Sequence, residues 1–146
     1  MGLCIDTTLL EAQDLAIELS NRADNRIAFR HGAVLFKDDL ILAEGYNHYT
    51  IPIMVYDIER ILGGSIQRKM RWSGRATMHA EIDCLAKLNF DRSLIRGSSL
   101  VVHGRSKANN TLLSKPCDNC MHMLYFMGIK SVWYSTKGGD FTQLNI

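Results

Sequence analysis

With 146 residues, 47% of them hydrophobic and 22% charged, the chain has the length and composition of one ordinary globular domain, 1–146. A formal net charge of +2 is too small to imply a nucleic-acid partner, and no apolar run approaches the eighteen or so residues of a membrane span. The four cysteines read as reduced, because a domain of this length needs no disulfide staples and the first fifteen residues, with Asp6, Glu11 and Asp14, do not form a signal peptide. A cytoplasmic setting is expected. Met1-Gly2-Leu3-Cys4 begins like a myristoylation signal but has Asp6 where that motif needs Ser or Thr.

Thr8-x-x-Glu11 reads as a capping box, and Ala12, Leu15, Ala16 and Leu19 follow at helical spacing, predicting a helix over 9–22. The apolar runs 32–36 and 40–43 flank the turn residues Lys37-Asp38-Asp39, which predicts a hairpin whose second strand ends at Gly45-Tyr46-Asn47. Residues 48–76 show weak periodicity, the pair Gly63-Gly64 and a charge bias, and read as an insertion with a short helix. Thr77 then serves as the expected N-cap of a helix that places Ile82, Leu85 and Ala86 on one face.

Leu100-Val101-Val102 predicts a strand core, followed by a polar loop over 106–110. Pro116 favours the first turn of a third helix, which Gly128 ends after Met127. A β-branched and aromatic stretch over 129–135 predicts a strand, and Gly138-Gly139 turns the chain into an antiparallel last one. Helices that separate single strands imply parallel pairing. The expected architecture is α/β: a three-layer α/β/α arrangement around a mixed sheet of four to five strands.

Two segments carry chemistry: Met78-His79-Ala80-Glu81 and Pro116-Cys117-Asp118-Asn119-Cys120. Cys117 and Cys120 lie about 60° apart around a helix, in its first turn, where the helix dipole favours thiolates. His79 and Glu81 are about 200° apart and would diverge along a helix flank. Their side chains converge only over a helix end, so the spacing implies a metal off the N-terminal tips of two helices. Three ligands and an adjacent carboxylate describe a catalytic zinc with water in the fourth position; a structural site is closed by four. Cys84, about 140° from His79 and over a turn away, should point into the core. His122 falls on another face, and His31 and His103, whose positions the pattern leaves open, could each supply a closing ligand.

His79-Ala80-Glu81 with Pro116-Cys117-x-x-Cys120 resembles the H-x-E…P-C-x-x-C signature of the zinc-dependent cytidine/deoxycytidylate deaminase superfamily. His31-Gly32-Ala33-Val34-Leu35 with Gly45-Tyr46-Asn47 is similar to that family's first hairpin, and Gly128-Ile129-Lys130-x-Val132-x-Tyr134 to its strand after the second zinc helix. The thirteen residues between Val102 and Pro116, and an ending without a further helix, depart from the commonest pattern. The resemblance implies one catalytic Zn²⁺ per chain on His79, Cys117 and Cys120. It makes Glu81 the proton carrier, assigns substrate contacts to Asn47, Ala80 and Pro116, and suggests a homo-oligomer.

Zinc can lower the pKa of a bound water from about 15.7 towards about 7, though two thiolate ligands weaken this effect. Glu81 would accept the water proton, pass it to the ring nitrogen and help protonate departing ammonia. The expected reaction is hydrolytic deamination of a cytosine nucleotide or nucleoside, dCMP first, to its uracil counterpart. Arg60, Arg68, Lys69, Arg71 and Arg75, with Arg105 and Lys107, suit either a nucleotide phosphate or a polynucleotide backbone. Tyr46, Tyr49, Tyr56 and Trp72 are candidates for stacking on a base. The alternatives are a deaminase of a base within single-stranded DNA or tRNA, and a non-catalytic member whose zinc is structural.

Overall fold

The structure, a computed structural model, describes residues 7–23, 27–49 and 77–146. Helix α1 (Thr7–Arg22) buries Thr8, Ala12, Ala16, Leu19 and Ser20. Thr8 therefore lies inside the helix and is not its N-cap: it occupies the same i, i+4 row as Ala12 and Ala16 and packs with them. Strands β1 (Phe29–Lys37) and β2 (Leu40–Tyr46) form the expected hairpin. Lys37 pairs with Leu40, so the turn is Asp38-Asp39, with Asp38 at φ 54, a conformation aspartate tolerates.

Strands β3 (His48–Tyr49) and β4 (Thr77–Met78) pair antiparallel, as a separate two-stranded sheet. The expected insertion helix, Gly63-Gly64, the basic residues Arg60, Arg68, Lys69, Arg71 and Arg75, and the aromatics Tyr56 and Trp72 lie outside the described residues, as does Met1-Gly2-Leu3-Cys4. Helix α2 (Ala80–Lys87) starts later than expected: because Thr77 and Met78 pair with β3, the N-cap is His79 and not Thr77. Helix α3 (Arg92–Ile95) is a single turn, capped by the Asp91 carboxylate accepting from Ser93 N–H at 2.9 Å. Strands β5 (Ser99–Ser106) and β6 (Thr111–Leu112), helix α4 (Asp118–Phe126), and strands β7 (Ser131–Ser135) and β8 (Phe141–Asn145) complete the described chain.

The main sheet runs β2-β1-β5-β7-β8, with β6 attached to β5. It thus has six strands, not four to five, the extra one being the two-residue β6. Only β5 and β7 are parallel neighbours; β1 is antiparallel to both β2 and β5, and β8 to β7. Strands β2 and β5, joined through α2, do run in the same direction. They are not neighbours because β1 lies between them, so a helical crossover here does not create a parallel pair.

Alternation along the strands divides the core in two. Val34, Phe36 and Val101 meet Ala12, Ala16 and Leu19 of α1 on one face. On the other, Ala33, Leu35, Leu100 and Val102 meet Ile82 and Leu85 of α2 and Met123 and Leu124 of α4. Each fully buried leucine or isoleucine contributes about 1.5–3 kcal/mol relative to exposure, and these faces fix where both helices begin.

Helix α2 lies directly on the hairpin at Gly45. A Cβ there would stand 2.7 Å from the Ala80 carbonyl oxygen and 2.8 Å from the Cys84 nitrogen, both backbone atoms. Gly45→Ala is expected to lower stability to urea by about 1–3 kcal/mol through overpacking. Gly138→Ala, whose Cβ would meet only Thr136 Oγ1 at 3.9 Å, should change it by no more than about 0.5 kcal/mol. Equilibrium unfolding of the two variants tests the contrast.

Candidate metal and active site

His79 and Cys117 occupy equivalent places: each is the N-cap of its helix, α2 and α4, in extended conformation. Their carbonyls start the two helices, accepting from Asp83 N–H at 2.9 Å and Met121 N–H at 2.8 Å. Neither caps its helix with its side chain, so both side chains project over the helix ends. Cys120 reaches the same point from the first turn of α4. The ligand atoms of His79, Cys117 and Cys120 lie within 4.8 Å of one another. His79 Nδ1 is 3.2 Å from Cys120 Sγ and 3.7 Å from Cys117 Sγ. Zinc–nitrogen and zinc–sulfur bond lengths in tetrahedral geometry imply roughly 3.6 Å between such atoms. The donor set therefore fits zinc in both chemistry and spacing.

The three donors also act on one another electrostatically. A hydrogen bond from the Cys120 thiol, opposed by burial and aided by His79, holds the Cys117 pKa down to about 4. The bond to Cys117 raises the His79 pKa against the effect of burial. The hydrogen bond it donates to Cys117, burial and the charge of Glu81 push the Cys120 pKa well up. Glu81, in the first turn of α2, is 6% exposed.

Around the metal ligands lies a cavity of about 350 Å³, lined by Asn47, His79, Ala80, Glu81 and Cys117 among others. Pro116 is buried between Lys115 and Cys117, which both line the cavity, but does not line it itself. Asn47 is buried and latched to β1: its Oδ1 accepts from His31 N–H at 2.8 Å, and its Nδ2 donates to the Phe29 carbonyl at 2.8 Å. An amide carries two donors and two acceptor lone pairs, so half its capacity is left to face the cavity.

Two further groups, which no motif singled out, hold the ligand-bearing segments. Buried Asp83 accepts from Tyr46 N–H at 3.2 Å and pairs with His48 Nε2 at 3.1 Å and Lys87 Nζ at 3.4 Å. Its burial is thereby compensated, and α2 is tied to the end of the hairpin. Ser114 Oγ donates to the Val102 carbonyl at 2.8 Å and accepts from Ser135 N–H at 2.8 Å. The loop that delivers Cys117 is thus anchored to β5 and β7.

The remaining candidates fall elsewhere. Cys84 is fully buried with Sγ 3.2 Å from the Ala33 carbonyl, and burial pushes its thiol pKa well up. His103 faces α1, 3.1 Å from Ser20 Oγ, and burial lowers its pKa to about 4. His122 is exposed. Arg105 also turns to α1, donating to Ser20 Oγ at 2.9 Å. His31 does line the cavity, where burial, outweighing the opposing charge of Glu81, lowers its pKa. Among the described residues, His79, Cys117 and Cys120 form the one group of His, Cys, Asp or Glu side chains whose ligand atoms lie this close together.

The raised pKa values of Cys120 and His79 favour their protonated forms, and a metal must compete with those protons. Zinc uptake near neutral pH should therefore release about one to two protons, and apparent affinity should rise with pH until both groups are deprotonated. Calorimetric titration of metal-free protein in buffers of different ionisation heat measures that number. No proton release would contradict this protonation pattern.

The model of the cytidine and deoxycytidylate deaminase zinc-binding region matches residues 7–136. Comparison with curated protein sequences gives no match. Among solved structures, the dCMP deaminase of cyanophage S-TIM5 is similar at TM-score 0.53 and 22% identity, over 93% of this chain and 86% of that one. A cytidine deaminase from Burkholderia pseudomallei is similar at TM-score 0.61 and 15% identity, over 93% and 91%. A cytidine deaminase from Mycobacterium leprae is similar at TM-score 0.52 and 17% identity, over 92% of each. At these identities the likeness concerns the fold.

Proposed function

Because the chain belongs to the cytidine and deoxycytidylate deaminase family of zinc-dependent hydrolases, we propose that it hydrolytically deaminates a cytosine nucleotide, dCMP first, at the cavity described above. In this reading 1–146 is one deaminase domain, His79, Cys117 and Cys120 hold the zinc, and Glu81 is the proton carrier. The observation that carries it is the placement of Glu81: a buried carboxylate on the wall of the cavity that His79 and Cys117 also line.

Zinc, when bound, supplies the Lewis acidity that makes water a usable nucleophile near neutral pH. Glu81 takes the proton that water gives up and delivers it to the ring nitrogen of cytosine, then assists loss of ammonia. Its burial keeps bulk water from competing for that proton. Asn47 offers its remaining amide capacity to the sugar or base. Ala80 offers a backbone N–H from the start of α2, one of the four without a partner inside the helix. Pro116 does not itself line the cavity; its ring fixes the backbone between Lys115 and Cys117, which do.

The solved complex of the cyanophage S-TIM5 dCMP deaminase with dCMP and dUMP favours a free nucleotide as the substrate. Unbridged Cys84, Cys117 and Cys120 accord with a cytoplasmic setting. Among the described residues no helix is long and apolar enough to cross a membrane. Exposed Leu94 and Tyr125, on α3 and α4, accord with assembly into a homo-oligomer.

Glu81→Gln keeps the size of the side chain and removes its basicity. It should retain stoichiometric zinc, read by atomic absorption, while kcat falls about 10²–10⁴-fold; near-normal turnover would refute the role. Ammonia release compared across dCMP, CMP, cytidine, deoxycytidine, cytosine and a short single-stranded DNA should give the highest kcat/KM on dCMP. A preference for the DNA would replace the nucleotide by a polynucleotide.

A further inference from the structure

One charged side chain of the cavity has no part in the chemistry assigned so far. Lys115 lines the same cavity as Glu81, His31 and Asn47, and among the described residues it is the only lysine or arginine that does. The two ends of the cavity differ in depth. Glu81 is buried and belongs to the floor, whereas Lys115 is exposed and belongs to the mouth.

The backbone on either side of Lys115 is fixed. Ser114 is bonded to the Val102 carbonyl and to Ser135, and Pro116 is buried, with a φ set by its own ring. The ion pairs among the described residues join Glu18 to Arg22, and Asp83 to His48 and Lys87. Lys115 is in none of them. It is a cation on a rigid base, facing a cavity, with no carboxylate partner among the described residues.

Charge balance gives that cation a use. The two charges of zinc would be matched by the Cys117 and Cys120 thiolates, and Glu81 would leave the cavity formally negative. A phosphate carried by the substrate would meet an unfavourable field unless a cation compensates it at the mouth. Lysine is a suitable point charge for phosphate. We propose that Lys115 binds the phosphate of the nucleotide substrate, and so sets the preference for a nucleotide over the nucleoside. This rests on the reading of the cavity as that of a cytosine nucleotide deaminase.

The test measures kcat/KM on zinc-loaded wild type, Lys115→Gln and Lys115→Arg with three substrates: dCMP, deoxycytidine and a short cytosine-bearing single-stranded DNA. Lys115→Gln should lower the ratio of dCMP to deoxycytidine about 10- to 100-fold, chiefly through KM, and Lys115→Arg should keep most of it. The ratio is insensitive to partial loss of zinc, which lowers both activities together. An unchanged ratio in Lys115→Gln overturns the assignment of Lys115 and leaves the deaminase reading standing. A wild-type protein that prefers deoxycytidine or the single-stranded DNA to dCMP overturns the nucleotide reading itself, whatever the variants do.

Discussion

The site depends on one constraint: two helix N-termini must be brought together on the same face of one sheet. Each end carries a partial positive charge and backbone N–H groups without partners inside the helix. Two such ends repel one another, and a cation between them is worse placed still. The arrangement is tenable because the residues at the ends supply anions: Cys117 ionises readily at one tip, and Glu81 lies in the first turn of the other. A carboxylate or thiolate in such a place gains about 0.3–2 kcal/mol from the helix dipole. The same groups that bind a metal therefore also relieve the cost of assembling its site.

Holding the two tips in register falls to groups other than the three donors and Glu81. Gly45 lets α2 lie on the hairpin with backbone against backbone, and Asp83 ties its first turn to Tyr46 and His48. Asn47 fastens the end of β2 to β1 through both ends of its amide. On the other side Ser114 bridges the Val102 carbonyl and Ser135 before the chain enters α4. Every one of these links ends on backbone at least once. They fix positions of the chain rather than of flexible side chains, as a site held to fractions of an ångström requires.

Much of this was legible in the sequence. Helices α1 and α2 were readable from apolar spacing, α4 from Pro116 and Gly128, and the hairpin from Lys37-Asp38-Asp39. The convergence of His79 and Glu81 follows from their being two residues apart. What escaped the pattern depended on partners distant in sequence. Thr77 looks like an N-cap until residue 49 pairs with it, and residue 48 with Met78. The single turn of α3 has no periodicity to show, and β6 is two residues long. Thr8 reads as a cap because the capping box is local, while its burial depends on the sheet below. His31 and His103 were undecided for want of strand parity. Once Ala33 and Leu35 are known to face α2, His31 falls on the cavity side, and Val101 puts His103 against α1.

The same geometry separates the roles of metal and core. In small zinc modules the metal supplies the folding energy, because little else is buried. Here both ligand-bearing helices are already held by apolar faces, with Ile82 and Leu85 on α2 and Met123 and Leu124 on α4 fully buried. The three donors those helices carry lie within 4.8 Å of one another. Metal binding then exchanges protons in a frame that is already built. Three donors set on helices that the core already holds, beside a cavity, suit a metal used for chemistry rather than one needed to hold the fold.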